Sequence, residues 1–252
     1  PPAFNQIFSE LGMMYWRSNG RWNLPVVVLA ICGAYRPGLG PYHAQTPDGL
    51  LAHIPGIDVF EPSNAADAAG LLNAAFESGR PTVLLYPKSL INERSAATSD
   101  DVDKQLVPPG RARMARAGSD LTVVSWGSTM PLCERVCEAL EAGNASAELI
   151  DLRTLSPWDA DAVETSARKT GRLLVVHEDA RTGGFGAEVA AEMSERVPGL
   201  RVARIARQDT HVPFHFDAQQ HILPSLRSIL ESAAALLDLD VEWRAKASER
   251  EG

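Results

Sequence analysis

Apolar and polar positions along the chain follow two rhythms, and together they predict an α/β protein. Phe4, Ile7, Phe8 and Leu11 fall at i, i+3, i+4 and i+7, one face of a helix at the start of the chain. Leu24–Ile31 (LPVVVLAI) is an unbroken apolar run, as expected of a parallel strand covered on both faces. A Gly/Pro-rich loop, Gly33–Gly40, follows it. Ile57–Phe60 reads as a short strand and Pro81–Tyr86 (PTVLLY) as a buried one. Between them lies a helix carrying Leu71, Leu72, Ala75 and Phe76, with Ser63 as its expected N-cap.

The second half repeats the alternation. Strands are predicted over Leu121–Trp126, Ala147–Leu152, Leu173–His177 and Arg201–Ala206. A helix with Cys133, Val136, Cys137 and Leu140 on one face follows the first of these. Pro157 is placed in the first turn of a helix reaching Lys169. Further helices are expected from about Gly186 and over Ile222–Leu236. Strand–helix alternation implies mostly parallel sheets with right-handed crossovers. The predicted organisation is one α/β domain over 1–92, a polar linker over 93–110 ending Pro108-Pro109-Gly110, a second α/β domain over 111–236, and a charged tail over 237–252. The chain opens Pro1-Pro2 without an initiator Met, so a longer natural polypeptide is expected.

Composition narrows the function classes. The 252 residues are 45% apolar and 22% charged, ordinary for a globular protein. The net charge of −8, with no basic block, argues against nucleic acid as a partner. No apolar run reaches the roughly 18–20 residues of a membrane helix, so no membrane partner is expected. Three cysteines are too few for a disulfide framework and point to a reducing, cytoplasmic setting.

Several short patterns carry possible chemistry. Gly183-Gly184-Phe185-Gly186 follows a strand and opens a helix, but lacks the spacing of a dinucleotide fingerprint. It reads as a tight turn, with a subunit-contact turn and a phosphate loop as alternatives. His211 and His215 have H-x-x-x-H spacing, yet Pro213 between them disfavours the helix a metal pair would need. Glu178, Asp179 and Arg181 follow the strand ending at His177 and read as a solvated charge cluster beside a glycine turn. His43, in Pro41-Tyr42-His43-Ala44-Gln45, lies just past the loop that follows the first buried strand. Ligands of open α/β sheets bind beyond the carboxyl ends of strands, so His43 is the leading candidate for an acid, base or anion-stabilising group.

The chain also resembles a known family. Phe4–Gly12 (FNQIFSELG), Gly38–Gln45 (GLGPYHAQ), Ala52–Leu72, Arg80–Tyr86, Gly110–Arg113 (GRAR), Thr122–Gly127 (TVVSWG), Glu148–Pro157 (ELIDLRTLSP) and Val176–Ala191 (VHEDARTGGFGAEVAA) occur in the order found in beta subunits of the thiamine-diphosphate-dependent decarboxylating component of 2-oxoacid dehydrogenases. The resemblance implies a transketolase-like pyrimidine-binding domain, here its C-terminal part, followed by a transketolase C-terminal-like domain. It implies thiamine diphosphate and Mg²⁺ held mainly by an alpha subunit or alpha-like domain. A second beta chain and a lipoyl-bearing acyltransferase are the other implied partners. The implied reaction is oxidative decarboxylation of pyruvate or a branched-chain 2-oxoacid, the acyl fragment passing to a lipoyl group. His43 matches the family's active-site histidine, and the loop of Glu178, Asp179 and Arg181 matches one near the family's beta–beta contact, which implies an interface role, with catalysis as the remaining alternative. Backbone carbonyls of Val27, Ala75, Phe76, Ser78 and Arg80 match a potassium site of some members. No residue here matches the family's cofactor-activating glutamate, so these 252 residues are expected to be inactive alone. Ala30-Ile31-Cys32 also stands where relatives often carry Arg-Gly-Pro. A deoxyxylulose-phosphate synthase type of enzyme and a non-catalytic assembly module stay open as alternatives.

Overall fold

The structure is a computed structural model that describes residues 3–94 and 97–240. The predicted tail is therefore described only to residue 240, and residues 241–252 lie outside the described residues. In chain order the elements are a π-helix at Gln6–Leu11, α1 (Met14–Arg17), β1 (Val27–Cys32), α2 (Gly40–His43), α3 (Asp48–Ala52), β2 (Asp58–Phe60), α4 (Ala65–Ser78) and β3 (Thr82–Pro87). Then come β4 (Arg113–Arg116), β5 (Leu121–Ser125), α5 (Met130–Ala142), β6 (Ala147–Asp151), β7 (Thr154–Ser156), α6 (Ala160–Thr170), β8 (Arg172–Ala180), α7 (Gly186–Arg196), β9 (Arg201–Arg207), α8 (Phe216–Ile222) and α9 (Leu226–Leu237).

Two sheets result, ordered β1-β3-β2-β7 and β4-β6-β5-β8-β9. β1, β3 and β2 are parallel, as are β6, β5, β8 and β9. Each sheet ends in one antiparallel strand, β7 against β2 and β4 against β6. β7 lies beyond β6 in the chain yet joins the first sheet, so the second half of the sequence contributes a strand to the first unit. One apolar core spans both units: Ile54, Val59 and Leu85 pack with Trp126, Ile150, Leu152, Val175 and Met193. Burying each such side chain is worth about 1.5–3 kcal/mol. α5 and α9 cover the other face of the second sheet through Cys133, Val136, Ile229 and Ala233. Polar ties cross the same seam. Arg113 and the Ser63 hydroxyl both reach the buried Asp151 carboxylate, and Arg153 pairs with Asp67 at 2.8 Å.

Five sequence expectations are corrected. The first helix is a π-helix, in which the Gly12 N–H reaches the Ile7 carbonyl at 3.2 Å; Phe4, Ile7 and Leu11 still lean on the shared core. The strand expected over Leu24–Ile31 begins at Val27 and is an edge, with Leu29 55% and Ile31 50% exposed, so it is not covered on both faces. Asn64, not Ser63, caps α4, its side chain accepting from the Asp67 N–H at 2.8 Å. Pro157 precedes α6 instead of opening it; Asp159 is the cap, accepting from the Ala162 N–H. The last predicted helix is two, α8 and α9, with Pro224 between them and Ser225 capping the second.

Candidate functional site

The residues most exposed to chemistry lie at the carboxyl end of β1. Cys32 ends the strand, and Gly33 turns the chain at φ +86°, a backbone region open to glycine at little cost. The chain then folds over the second unit and returns through α2, a four-residue turn ending at His43. Gly40 passes so close to the Phe214 ring that an added Cβ would sit 2.4 Å from it. Tyr42 lies beside the same ring at 6.1 Å between centroids. Ala34 and Ala44 pack with Val212, Ile222 and Leu223 beneath the loop. The Tyr35 hydroxyl donates to the Pro224 carbonyl at 2.8 Å, and Gln219 donates to the Arg36 carbonyl at 3.0 Å. The Lys88 ammonium donates to the His43 carbonyl. His43 is thus an exposed side chain on a backbone pinned from several directions, the arrangement a solvent-facing acid–base group needs.

Behind the loop lies a group of buried carboxylates. Glu178 is not solvated, as its charged neighbourhood suggested, but buried at the end of β8. Its carboxylate accepts from the Ala34 N–H, from the Thr46 hydroxyl at 3.1 Å and from the Ser128 hydroxyl. Burial pushes its pKa up, and the three donors pull it back. Asp48 is fully buried and accepts the Trp126 indole N–H at 2.8 Å. Burial, then Asp179 and Glu61, raise its pKa well above the usual range. Glu61 is raised the same way by burial, then by Glu178, Asp179 and Asp151, and its Oε2 has no hydrogen-bond partner. The buried Cys32 thiol is also pushed up, by burial and then by Glu61. It is therefore a poor nucleophile.

His177 sits against this group, stacked on Trp126 with ring centroids 5.3 Å apart and 13° between planes. Neither ring nitrogen has a partner. Burial, then Arg204, Arg207 and Arg181, hold its pKa down at about 3. Two of the three glycines of the GGFG segment crowd this ring: a Cβ on Gly186 would lie 2.3 Å from it, and one on Gly184 2.6 Å, with the Ala180 carbonyl at 2.4 Å. That is a packing reason for the motif. His211 and His215 do not share a helix, because His215 is only the cap of α8.

The five residues matched to a potassium site fall at the opposite end of the first sheet. Val27 starts β1 beside Thr82, Ala75, Phe76 and Ser78 close α4, and Arg80 leads into β3. The last carbonyls of a helix carry partial negative charge, and a hard cation suits them. Two of the five carbonyls are already engaged, Ala75 by the Ser78 hydroxyl at 2.9 Å and Arg80 by the Thr82 hydroxyl at 3.2 Å. The Arg80 side chain is turned to the Asp58 carboxylate.

Sequence reasoning singled out His43 and missed Glu178, Thr46, Asp48 and Ser128. One signal was available: Glu178 closely follows the all-apolar run Leu173–Val176, where a polar residue is carried inward by its strand.

Known proteins share this architecture. Residues 5–94 match the pyrimidine binding domain of transketolase and residues 110–229 its C-terminal domain. The chain is 40% identical over 237 residues to 2-oxoisovalerate dehydrogenase subunit beta 2, mitochondrial, of Arabidopsis thaliana, covering 90% of this chain and 65% of that protein. It is 35% identical over 241 residues to pyruvate dehydrogenase E1 component subunit beta of Bacillus subtilis, covering 94% of this chain and 72% of that protein. A solved split gene transketolase, an inactive beta4 tetramer, shares the fold with a TM-score of 0.76 at 22% identity, covering 95% of this chain and 73% of that one. The chain spans between 51% and 72% of the length of curated relatives it matches.

Proposed function

The chain belongs to the family of pyruvate and 2-oxoisovalerate dehydrogenase beta subunits, and from that membership we propose that it is the beta part of a decarboxylating component that oxidatively decarboxylates a 2-oxoacid, pyruvate or a branched-chain acid. The observation that carries the reading is the placement of His43. It is exposed on a pinned turn at the carboxyl end of a parallel strand, beside the exposed rings of Tyr42 and Phe214. A site on an open face, instead of inside a cavity, suits a cofactor shared between chains. The residues therefore fit thiamine diphosphate bound at a contact with an alpha subunit or alpha-like domain, which would hold the diphosphate and Mg²⁺.

When bound, that cofactor supplies the electron sink for loss of carbon dioxide. The chain's own part is narrower. His43 hydrogen-bonds or moves a proton at the oxygen of the reacting group and faces the incoming lipoyl arm of an acyltransferase. Tyr42 and Phe214 exclude water from that face once the partner covers them. Val27, Ala75, Phe76, Ser78 and Arg80 would hold K⁺ through their carbonyls and stiffen the far end of the sheet. A second beta chain and the alpha partner would cover apolar surface such as Trp16, Trp22, Leu29 and Ile31. A reducing, cytoplasmic compartment suits Cys32, Cys133 and Cys137, which are unpaired and buried.

The test is calorimetric titration of thiamine diphosphate with Mg²⁺ into the chain, alone and mixed with an alpha subunit. Binding in the mixture only, followed by turnover of pyruvate or 3-methyl-2-oxobutanoate with a lipoyl acceptor, is the expected result. Turnover with glyceraldehyde phosphate would favour the synthase alternative. Assembly without cofactor binding would favour an assembly module.

A further inference from the structure

One carboxylate of the second sheet holds both ends of the loop that carries His43. The loop leaves the first sheet at Cys32 and begins its return to it at Thr46. Glu178 Oε1 accepts from the Ala34 N–H at the start of that excursion and from the Thr46 hydroxyl at its end. Glu178 Oε2 accepts from the Ser128 hydroxyl, between β5 and α5, so the carboxylate itself is fixed. Ala34, Thr46, Ser128 and Glu178 are all buried. Without the carboxylate, a buried N–H and two buried hydroxyls lose their acceptor, and the loop ends must move to find water. Gly33 belongs to the same device, since a Cβ there would press on Glu178 Oε2 at 3.2 Å. Asp48, two residues beyond Thr46, adds a second tie through the Trp126 indole.

We infer that Glu178 is a positioning residue: by drawing Ala34 and Thr46 to one carboxylate it sets where α2 presents the His43 imidazole on the partner-facing surface. The role rests on the reading of His43 given above. Glu178 touches neither substrate nor cofactor and acts through the loop. An acceptor at this place is what matters, so glutamine, which keeps Oε1 and can donate to Ser128, should serve nearly as well as glutamate.

The experiment has two readouts. Hydrogen–deuterium exchange is measured on the chain over 33–46 and, as reference, over α6. The enzyme reconstituted with an alpha subunit, thiamine diphosphate and Mg²⁺ is then assayed for kcat and KM with pyruvate and 3-methyl-2-oxobutanoate. Glu178→Ala is expected to speed exchange of the loop amides about tenfold with α6 unchanged. It is expected to lower kcat about 10–100-fold with KM within about threefold, as a misplaced reacting group does. Glu178→Gln should restore both. If Glu178→Ala does not fold, Thr46→Val and Ser128→Ala each remove one of the three donors, and each should raise loop exchange by a smaller factor. Unchanged loop exchange would overturn the inference. So would a Glu178→Gln as impaired as the alanine variant, or faster exchange with kcat unaltered. A silent His43→Asn would instead sink the functional reading, while exchange would still decide whether Glu178 holds the loop.

Discussion

His177 lies flat on Trp126, 5.3 Å between ring centroids, and makes no hydrogen bond through either nitrogen. A buried imidazole in that state is held neutral, with its pKa depressed to about 3. The unfolded chain takes up the proton below about 6.5, and the folded chain does not until about 3. Stability is therefore full above pH 6.5 and falls as pH drops from there. At about 1.4 kcal/mol per pH unit, this one group removes about 2 kcal/mol by pH 5. His177→Phe keeps the stacking and removes the titration. Thermal unfolding from pH 7.5 to 4.5 should show a stability difference, variant minus wild type, that grows as pH falls. A constant difference would mean that His177 is protonated in the fold.

Glu61 has the opposite sign. Its folded pKa is raised, so between the usual carboxylate range and that raised value the folded chain binds more protons than the unfolded one. Its contribution is largest at low pH and declines as pH rises. Glu61→Gln removes a buried acid whose Oε2 has no partner, next to Glu178, Asp179 and Asp151. The variant should be more stable than wild type at pH 8, by about 1–2 kcal/mol, and equal to it near pH 4. Denaturant unfolding at the two pH values checks it; a variant less stable at pH 8 would refute the assignment.

Gly186 tests the packing account of the GGFG turn. An alanine there would put its Cβ 2.3 Å from the His177 ring, which is enclosed and cannot retreat. Gly186→Ala should cost about 3 kcal/mol by overpacking. Gly183 has φ +76° but open space, so Gly183→Ala should cost only about 1–2 kcal/mol, the left-handed backbone penalty. Gly186→Ala combined with His177→Ala should cost less than the sum of the two, because the second change removes the obstacle. Additive costs in urea unfolding would show that the turn, not the ring, demands glycine.

Much of this fold is legible in the sequence, and the failures share a cause. β5, β6 and β8 are readable because strands buried on both faces read as largely apolar runs, while β9 is a half-exposed edge betrayed by Val202, Ala203, Ile205 and Ala206 between its arginines. β4 and β7 are not, since Arg113–Arg116 is half polar at a sheet edge and Thr154–Ser156 is three residues long. Ser63 and Asn64 are equally good caps in isolation; the buried Asp151, far along the chain, claims the serine. His43 could be singled out as a candidate because its place after a strand is a local fact. Glu178 carries only a weak signal, the apolar run just before it, and the charged string His177-Glu178-Asp179-Ala180-Arg181 outweighs it; the tertiary fold is what shows its carboxylate turned inward.

Arg113 bears on how the two units stay together. It meets the buried Asp151 at 2.9 Å, while Ser63 from the first unit bonds the same carboxylate. Burial raises the Asp151 pKa to about 6 even though Arg113 pulls it down. Arg113→Met leaves that charge with the Ser63 hydroxyl and the Arg153 N–H, which reaches it at 3.2 Å, and also takes a partner from Asp67. Removing one partner of a buried pair costs about 3–5 kcal/mol, and the third of Arg113 that is exposed reduces this to about 2–3 kcal/mol. The aspartate can escape the penalty by binding a proton, so the cost should shrink below pH 6 and be largest at pH 8. Unfolding of the variant at pH 5 and pH 8 checks the sign, and an equal cost at both would show that Arg113 acts by packing.

His43 provides the direct functional test. Its side chain is exposed and its backbone is fixed by Lys88 and by the packing of Ala44, so replacing the imidazole should leave the fold intact. His43→Asn keeps a hydrogen-bonding side chain of smaller reach but loses proton transfer near neutral pH. In the enzyme assembled with an alpha subunit, as the proposed function requires, kcat should fall about 10²–10⁴-fold, the usual weight of a positioned acid–base group, with the unfolding temperature unchanged. Cofactor affinity should change little, because the diphosphate contacts belong to the partner in this reading. A loss confined to cofactor binding would assign His43 to holding the cofactor instead, and wild-type kcat would remove it from the site.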